Sequence, residues 1–405
     1  MASKRKEQGT VWYKSAVKLI YPLQTEMPLS NEDNLRMNVL LRQNLYALRI
    51  DESKMHVEAL TEKGEARVLL NPNCRDEKYI SILKEMISTY VLGSPIGYPV
   101  YIHRWTRMGQ SRKHESLQNL LKLGEPEAVV AVAHTEDLTV ELARHAWWAL
   151  PTEENARTLL RHQSVIKNEL GKELAMFLME FLPFESDAMR IVETVSLLLQ
   201  PGVLTDEERL SLWKKATHKS AYYPGFLISA ADNLPCQVDE HENFTNLSQQ
   251  LGDAIAQGNK IAKHYLWLHS DRGRAFLHTI KLTLKRPAQQ DVVVALFNAI
   301  GHYFSDLGLS RRYRTIKELR IVNEKICSGT CDPEYGQLAT EISQLANLSA
   351  DSEERILAML GLAQLSETLL DPLFGGTDCL GSVMRKRIKP VSEPLLEMVR
   401  QLEEQ

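Results

Sequence analysis

LARHAWWALPTEENARTLLRHQSVIKNELGKELAMFLMEFLP, residues 142–183, is the stretch whose reading decides the fold. Leu142, Ala143, Ala146, Trp147 and Leu150 fall at i, i+1, i+4, i+5 and i+8, a helical stripe wide enough to bury. Pro151 ends it. Thr152 is then placed to cap a new helix, with Glu153 and Glu154 where the positive end of the helix dipole favours carboxylates. Ile166, Leu170, Leu174, Phe177, Leu178 and Phe181 form the strongest apolar stripe of the chain, and Pro183 closes it. Burying each such side chain stabilises by about 1.5–3 kcal/mol, so this helix is expected at the centre of a core.

The same grammar runs outward in both directions. Leu117, Leu120 and Leu121 share a face, Gly124 follows as a stop, and Pro126 opens the next helix, where a first-turn proline loses no hydrogen bond. Ile191, Val195, Leu198 and Leu199 repeat the pattern before Pro201 and Gly202. Thr205 and Glu208 then make a T-x-x-E capping box ahead of Leu210, Leu212 and Trp213. Short helices joined by tight turns pack as antiparallel neighbours, giving either a HEAT-like array or a bundle. The starts near Thr152, Asp187 and Tyr222 are 35 residues apart at each step, while those at Pro126 and Leu138 do not keep the period.

The rest of the chain reads differently. Residues 1–27 carry no clear period, and Met27, followed by Pro28, Leu29 and a capping-like Ser30 with Asp33, is expected as the native start; intact mass from the native host checks this. Ala47, Leu48 and Ile50, then Met55, Val57 and Ala59, then Ala66, Val68 and Leu70 alternate as three short strands. Turns at Asp51 to Ser53 and at Gly64 separate them. With a helix over Lys78 to Val91 and a strand at Val100 to Ile102, residues 28–110 form a small α+β domain. Residues 111–234 are the helical domain, the polar stretch 235–246 is a loop or linker, and 247–405 is a C-terminal helical domain. The fold class is therefore mainly α, with a small N-terminal α+β unit.

Composition narrows the function. The chain has 405 residues, with 44% hydrophobic and 25% charged, ordinary values for a soluble globular protein. Its 48 Lys and Arg against 52 Asp and Glu give a net charge of -4, no basis for global attraction to nucleic acid or anionic lipid. Five scattered cysteines point to a reducing compartment. No run reaches the roughly 18 apolar residues of a membrane helix, and Lys14 and Lys18 interrupt any signal-peptide core. A cytoplasmic protein is expected, without membrane insertion. The Walker A, Rossmann, H-E-x-x-H and G-x-S-x-G patterns are all absent, so neither a catalytic residue nor a cofactor nor a metal is assigned.

Three groups of residues remain as candidates. His103, Arg104, Trp105 and Arg107, with Arg144, Trp148 and Arg157, are types enriched at interface hot spots and are assigned to partner binding, against the plainer reading of packing at a domain junction. Arg311, Arg312, Arg314, Lys317 and Arg320, with Tyr313 among them, form the densest basic cluster. They suit nucleic-acid contact, or else a solvated helix end. Cys327 and Cys331, spaced C-x3-C, and Cys74 are candidate thiols, though two ordinary cysteines near a turn explain the pair. His264 and His269, five apart, and His241 read as structural or exposed.

The phrases NPNCRDE from Asn71, YPVYIHRWTRMGQ from Tyr98, LGEPEAVVAVAH from Leu123, LARHAWWALP from Leu142, ENARTLL from Glu154 and EFLPFE from Glu180 resemble the DsrS family of sulfur-oxidising bacteria. The likeness spans about Asn31 to Phe226. It implies a soluble cytoplasmic accessory protein of the dissimilatory sulfite reductase system running in the oxidative direction, with no catalytic motif or cofactor set to carry over. The expected function is thus a non-catalytic accessory or regulatory factor that binds protein partners of that system. A nucleic-acid-binding regulator using residues 311–320 is the alternative, followed by a thiol-dependent sulfur-transfer protein. Oligomeric state is left open.

Overall fold

The computed structural model describes residues 29–93, 114–345, 351–375 and 381–404. The extension 1–27, the residues His103, Arg104, Trp105 and Arg107, and the strand expected at 100–102 lie outside the described residues. The chain is mainly α-helical, with one three-stranded antiparallel sheet near the N-terminus. It divides into two compact units, Met1–Ser164 and Val165–Gln405. This division falls inside the helical stretch expected over 111–234, rather than at residue 110 or in the 235–246 segment.

In the first unit, α1 (Asn31–Leu41) leads into strands β1 (Leu45–Asp51), β2 (His56–Thr61) and β3 (Gly64–Leu69), followed by α2 (Asp76–Leu92). Ser30 caps α1 by accepting from the Asp33 amide. The sheet order is β1-β2-β3. Strand alternation sends Leu48, Val57 and Ala59 to one face, where they share a core with Met37, Leu40 and Tyr79, Leu83 and Ile87 of the flanking helices. Four helices follow, α3 (His114–Leu121), α4 (Pro126–Ala133), α5 (Val140–Ala149) and α6 (Glu153–Leu159), with α3 and α5 packed against β1. Thr152 caps α6, as its position before Glu153 and Glu154 requires.

The second unit is all helix: α7 (Glu169–Phe181), α8 (Ala188–Leu198), α9 (Asp206–Ala216), α10 (Tyr222–Ala230), α11 (Phe244–Ala256), α12 (Lys260–His269), α13 (Asp271–Lys285), α14 (Gln290–Tyr303), α15 (Ile316–Cys327), α16 (Gly336–Ser343), α17 (Asp351–Ala363) and α18 (Gly381–Glu403). The Thr205–Glu208 capping box forms at the start of α9. Helix α14 packs against α8, α10, α13 and α17. That arrangement is the bundle form of helix packing, since in a one-dimensional array each pair touches only its sequence neighbours. Of the 235–246 segment, residues 235–243 are non-helical and α11 begins at Phe244. The non-helical part is fixed to the unit, for the His241 amide donates to the His269 carbonyl at 2.9 Å and His241 Nε2 bonds the Glu404 carbonyl at 2.9 Å. The apolar stripe of α7 is only partly covered. Leu170, Leu174 and Leu178 are buried, whereas Phe181 is 41% exposed.

Candidate functional site

The polar face of the sheet holds a connected set of charged side chains. The register places Arg49 opposite Glu58 and Glu58 opposite Arg67 across the three strands. Directly opposed side chains on one sheet face are within contact distance, so opposite charges pair. One Glu58 oxygen accepts from Arg49 Nε, and the other accepts from Arg67 Nε at 2.9 Å and from an Arg67 amino group. His56 Nε2 lies 3.3 Å from the same carboxylate. Burial alone would raise the Glu58 pKa, but hydrogen bonds from Arg67 and Arg49 hold it below the ordinary value.

Arg49 also ties the sheet to α5. Its amino group donates to the Trp148 carbonyl at 3.1 Å, and its guanidinium lies 4.6 Å from the centre of the Trp148 ring, a cation–π geometry. The indole N–H of Trp148 donates to Glu65 Oε1 at 2.8 Å. Beside this platform a cleft of about 610 Å³ runs between the sheet, where Asp51, Lys54 and His56 line it, and the segments at Glu125 and Pro151. The Ser53 hydroxyl, ahead of the Lys54 amide and ammonium, holds the Asp51 carboxyl at about 2. The cleft thus presents fixed charges of both signs, with Trp148 lying against Arg49 of its wall.

Glu58 is the hub of this face. Changing Glu58 to Ala leaves Arg49 and Arg67 facing one another across a gap with no anion between them. The expected cost is about 1–2 kcal/mol, below that of a fully buried pair because both arginines are partly exposed. Urea unfolding of the variant beside Arg49→Ala and the double variant checks it. A coupling near zero would show that Glu58 and Arg49 act independently.

Of the residues assigned from the sequence, Trp148 contacts Arg49, which lines this cleft, but does not itself line it. Arg144, on the same helix, is exposed. Arg157 is 3% exposed and bonds Glu154 at 2.8 Å within its own helix, so it serves the interior of the unit. Sequence reasoning passed over Arg49, Glu58 and Arg67, which recur at intervals of nine residues. In a meander with two comparable turns, that spacing places residues side by side on one face.

The basic cluster is divided by its surroundings. Arg312, Arg314 and Lys317 are exposed, but Arg320 is paired with Glu324 at 2.9 Å, and Tyr313 packs against the core of the second unit. A half-buried ring packed in this way offers less of its face to a base. Among the described residues, Cys74, Cys236, Cys327 and Cys331 are free thiols in half-buried positions. Burial, with the Glu353 charge adding to it, pushes the Cys327 thiol up to about 12, so it is protonated at neutral pH. Cys74 Sγ donates weakly to the Arg75 carbonyl at 3.7 Å. His264 bonds Asp306 at 2.7 Å, and His241 and His269 are buried, all in structural settings. Among the described residues no group of three or more His, Cys, Asp or Glu side chains is placed to hold a metal ion, and no helix is long and apolar enough to cross a membrane.

Comparison with known protein families, with curated proteins and with solved structures gives no match to this chain.

Proposed function

We propose that this chain is a non-catalytic accessory or regulatory protein that acts by binding a protein partner through the cleft beside Trp148. The observation that carries the reading is the Arg49–Trp148–Glu65 arrangement: an aromatic ring held in one orientation by a cation on its face and an acceptor on its N–H. Rigid aromatic anchors beside arginine contribute most of the affinity in many protein interfaces, because little side-chain entropy remains to be lost on binding. The mixed charges of the cleft wall suit a segment carrying both signs.

The biological setting rests on the DsrS-like phrases, which favour cytoplasmic sulfur oxidation through the reverse dissimilatory sulfite reductase pathway. The test is capture of tagged protein from cells oxidising stored sulfur, with wild type and Trp148→Ala compared by quantitative mass spectrometry after nuclease treatment. Wild type is expected to enrich sulfite reductase or sulfur-relay proteins, and the variant to lose about tenfold of that enrichment, as removal of a hot-spot residue does. Equal enrichment by a folded Trp148→Ala protein would move the interface elsewhere. Enrichment that disappears with nuclease would favour the 311–320 cluster.

A further inference from the structure

Both outer strands of the sheet meet helices, β3 meeting α1 near Leu69, but the two strands differ in regularity and exposure. Strand β1 carries a register irregularity between Leu45 and Ala47 and is packed by α3 and α5. Strand β3 has an unbroken register from Gly64 to Leu69, no proline and no bulge, and Gly64, Glu65, Arg67 and Leu69 are exposed. Proteins ordinarily blunt such an edge, since its free N–H and C=O groups are a template for another strand.

The hairpin fixes which backbone groups face outward. Thr61 and Gly64 close a two-residue turn, and the closing pair of such a turn is hydrogen-bonded. Alternation along the antiparallel ladder then turns the amides and carbonyls of Ala66 and Val68 inward to β2, and those of Glu65, Arg67 and Leu69 outward. Arg36 donates to the outward Leu69 carbonyl at 3.4 Å, in agreement with that assignment. Among the described residues, the outward backbone groups of Glu65 and Arg67 have no partner.

We propose that β3 pairs antiparallel with β3 of a second copy of this chain, about a two-fold axis at Ala66. The strand's own charge pattern selects the occupant and the register. With Ala66 opposite Ala66, Glu65 of each copy stands opposite Arg67 of the other, giving two opposite-charge pairs on one face and four outward backbone groups that match as donors and acceptors. A shift of one residue puts inward-facing groups against outward ones. The next register with matching groups sets Arg67 against Arg67, which like-charge repulsion disfavours. Glu65 accepts from Trp148 through Oε1, and Arg67 reaches Glu58 through Nε and one amino group; each retains polar atoms for the cross-copy pair. Leu69, whose carbonyl is already used, lies outside the paired stretch.

Sedimentation equilibrium of the full chain tests this. Wild type is expected to dimerise, Glu65→Arg to raise the dimer dissociation constant by about tenfold or more, and Glu65→Arg with Arg67→Glu to recover dimers by restoring opposite charges. A wild type that stays monomeric at its highest soluble concentration would overturn the proposal, as would a dimer untouched by Glu65→Arg. A second measurement does not depend on charge. Non-hydrogen-bonded partners on facing strands have Cα atoms about 4.5 Å apart, within disulfide range. Ala66→Cys is therefore expected to form an intermolecular disulfide on mild oxidation beyond the wild-type background. Failure of that cross-link in a folded dimer would refute the register.

Discussion

Replacing Gly273 by alanine is expected to cost about 3 kcal/mol through overpacking, against the helix-propensity rule, which alone would have alanine gain about 1 kcal/mol in a helix. Ser270 ends α12 and caps α13 in the same residue, its hydroxyl accepting from the Gly273 amide at 3.2 Å. The turn is so tight that a Cβ on Gly273 would lie 2.0 Å from the Trp267 carbonyl oxygen and 2.5 Å from the Leu268 Cα. These are backbone atoms with no rotamer to give way. The helices must part, and the buried residues on either side, Leu268, Phe276 and Leu277, lose their packing together. Gly252, on the exposed side of α11, has nothing within 4 Å of the same added atom, so Gly252→Ala is expected to stabilise by about 0.5–1 kcal/mol. Chemical unfolding of both variants decides between tertiary clash and intrinsic propensity, for the two theories differ in sign only at Gly273. Since domains of this kind are stable by about 5–15 kcal/mol, the Gly273 loss would be a large part of the whole.

Signals confined to a few neighbouring residues were legible. Thr152, Asp187 and Thr205 each accept from the amides that follow them, as their positions ahead of apolar runs imply. The meander was legible too, because period-two alternation and the Gly64 turn are local properties. What periodicity could not convey is how far a neighbour covers a stripe. Phe177 and Phe181 continue the apolar face of α7, and yet Phe181 is 41% and Phe184 84% exposed. Likewise, Arg49, Glu58 and Arg67 are ordinary polar positions of half-buried strands until the register is known. Their convergence on one carboxylate is a property of strand pairing, with Trp148 brought to it from another helix. The split of the helical stretch between two compact units is also non-local: it depends on α14 packing against α10 across about 60 intervening residues and against α8 across about 90.

Acid is expected to weaken the second unit through His269. This residue is fully buried on α12; Nδ1 bonds the Tyr265 carbonyl at 2.8 Å, and Nε2 has no hydrogen-bond partner. The Nδ1 bond to a carbonyl makes Nδ1 the protonated nitrogen of a neutral ring, so a second proton would have to enter at the unsolvated Nε2. Burial is the main cause holding the pKa down at about 4, against an ordinary 6.5. The charges of His241, Arg355 and Arg274 act in the same direction, and the Tyr265 carbonyl opposes them. Because the folded value is the lower one, the unfolded chain binds the additional proton first as pH falls. Stability is therefore undiminished above about 6.5, declines through the interval down to about 4, and has no further dependence on this group below it. At about 1.4 kcal/mol per pH unit that interval amounts to about 3 kcal/mol. The destabilised region includes the tether of the C-terminus: His241 stacks edge-on against His269 at 4.9 Å, and its Nε2, with Arg355, bonds the Glu404 carbonyl. Urea unfolding of wild type and His269→Gln from pH 7 to pH 4 is the measurement. The variant loses some stability at pH 7 through imperfect packing, but its pH slope should be shallower by the histidine's share. Parallel slopes for the two proteins would mean that acid acts through other groups and that His269 titrates alike in the folded and unfolded chains.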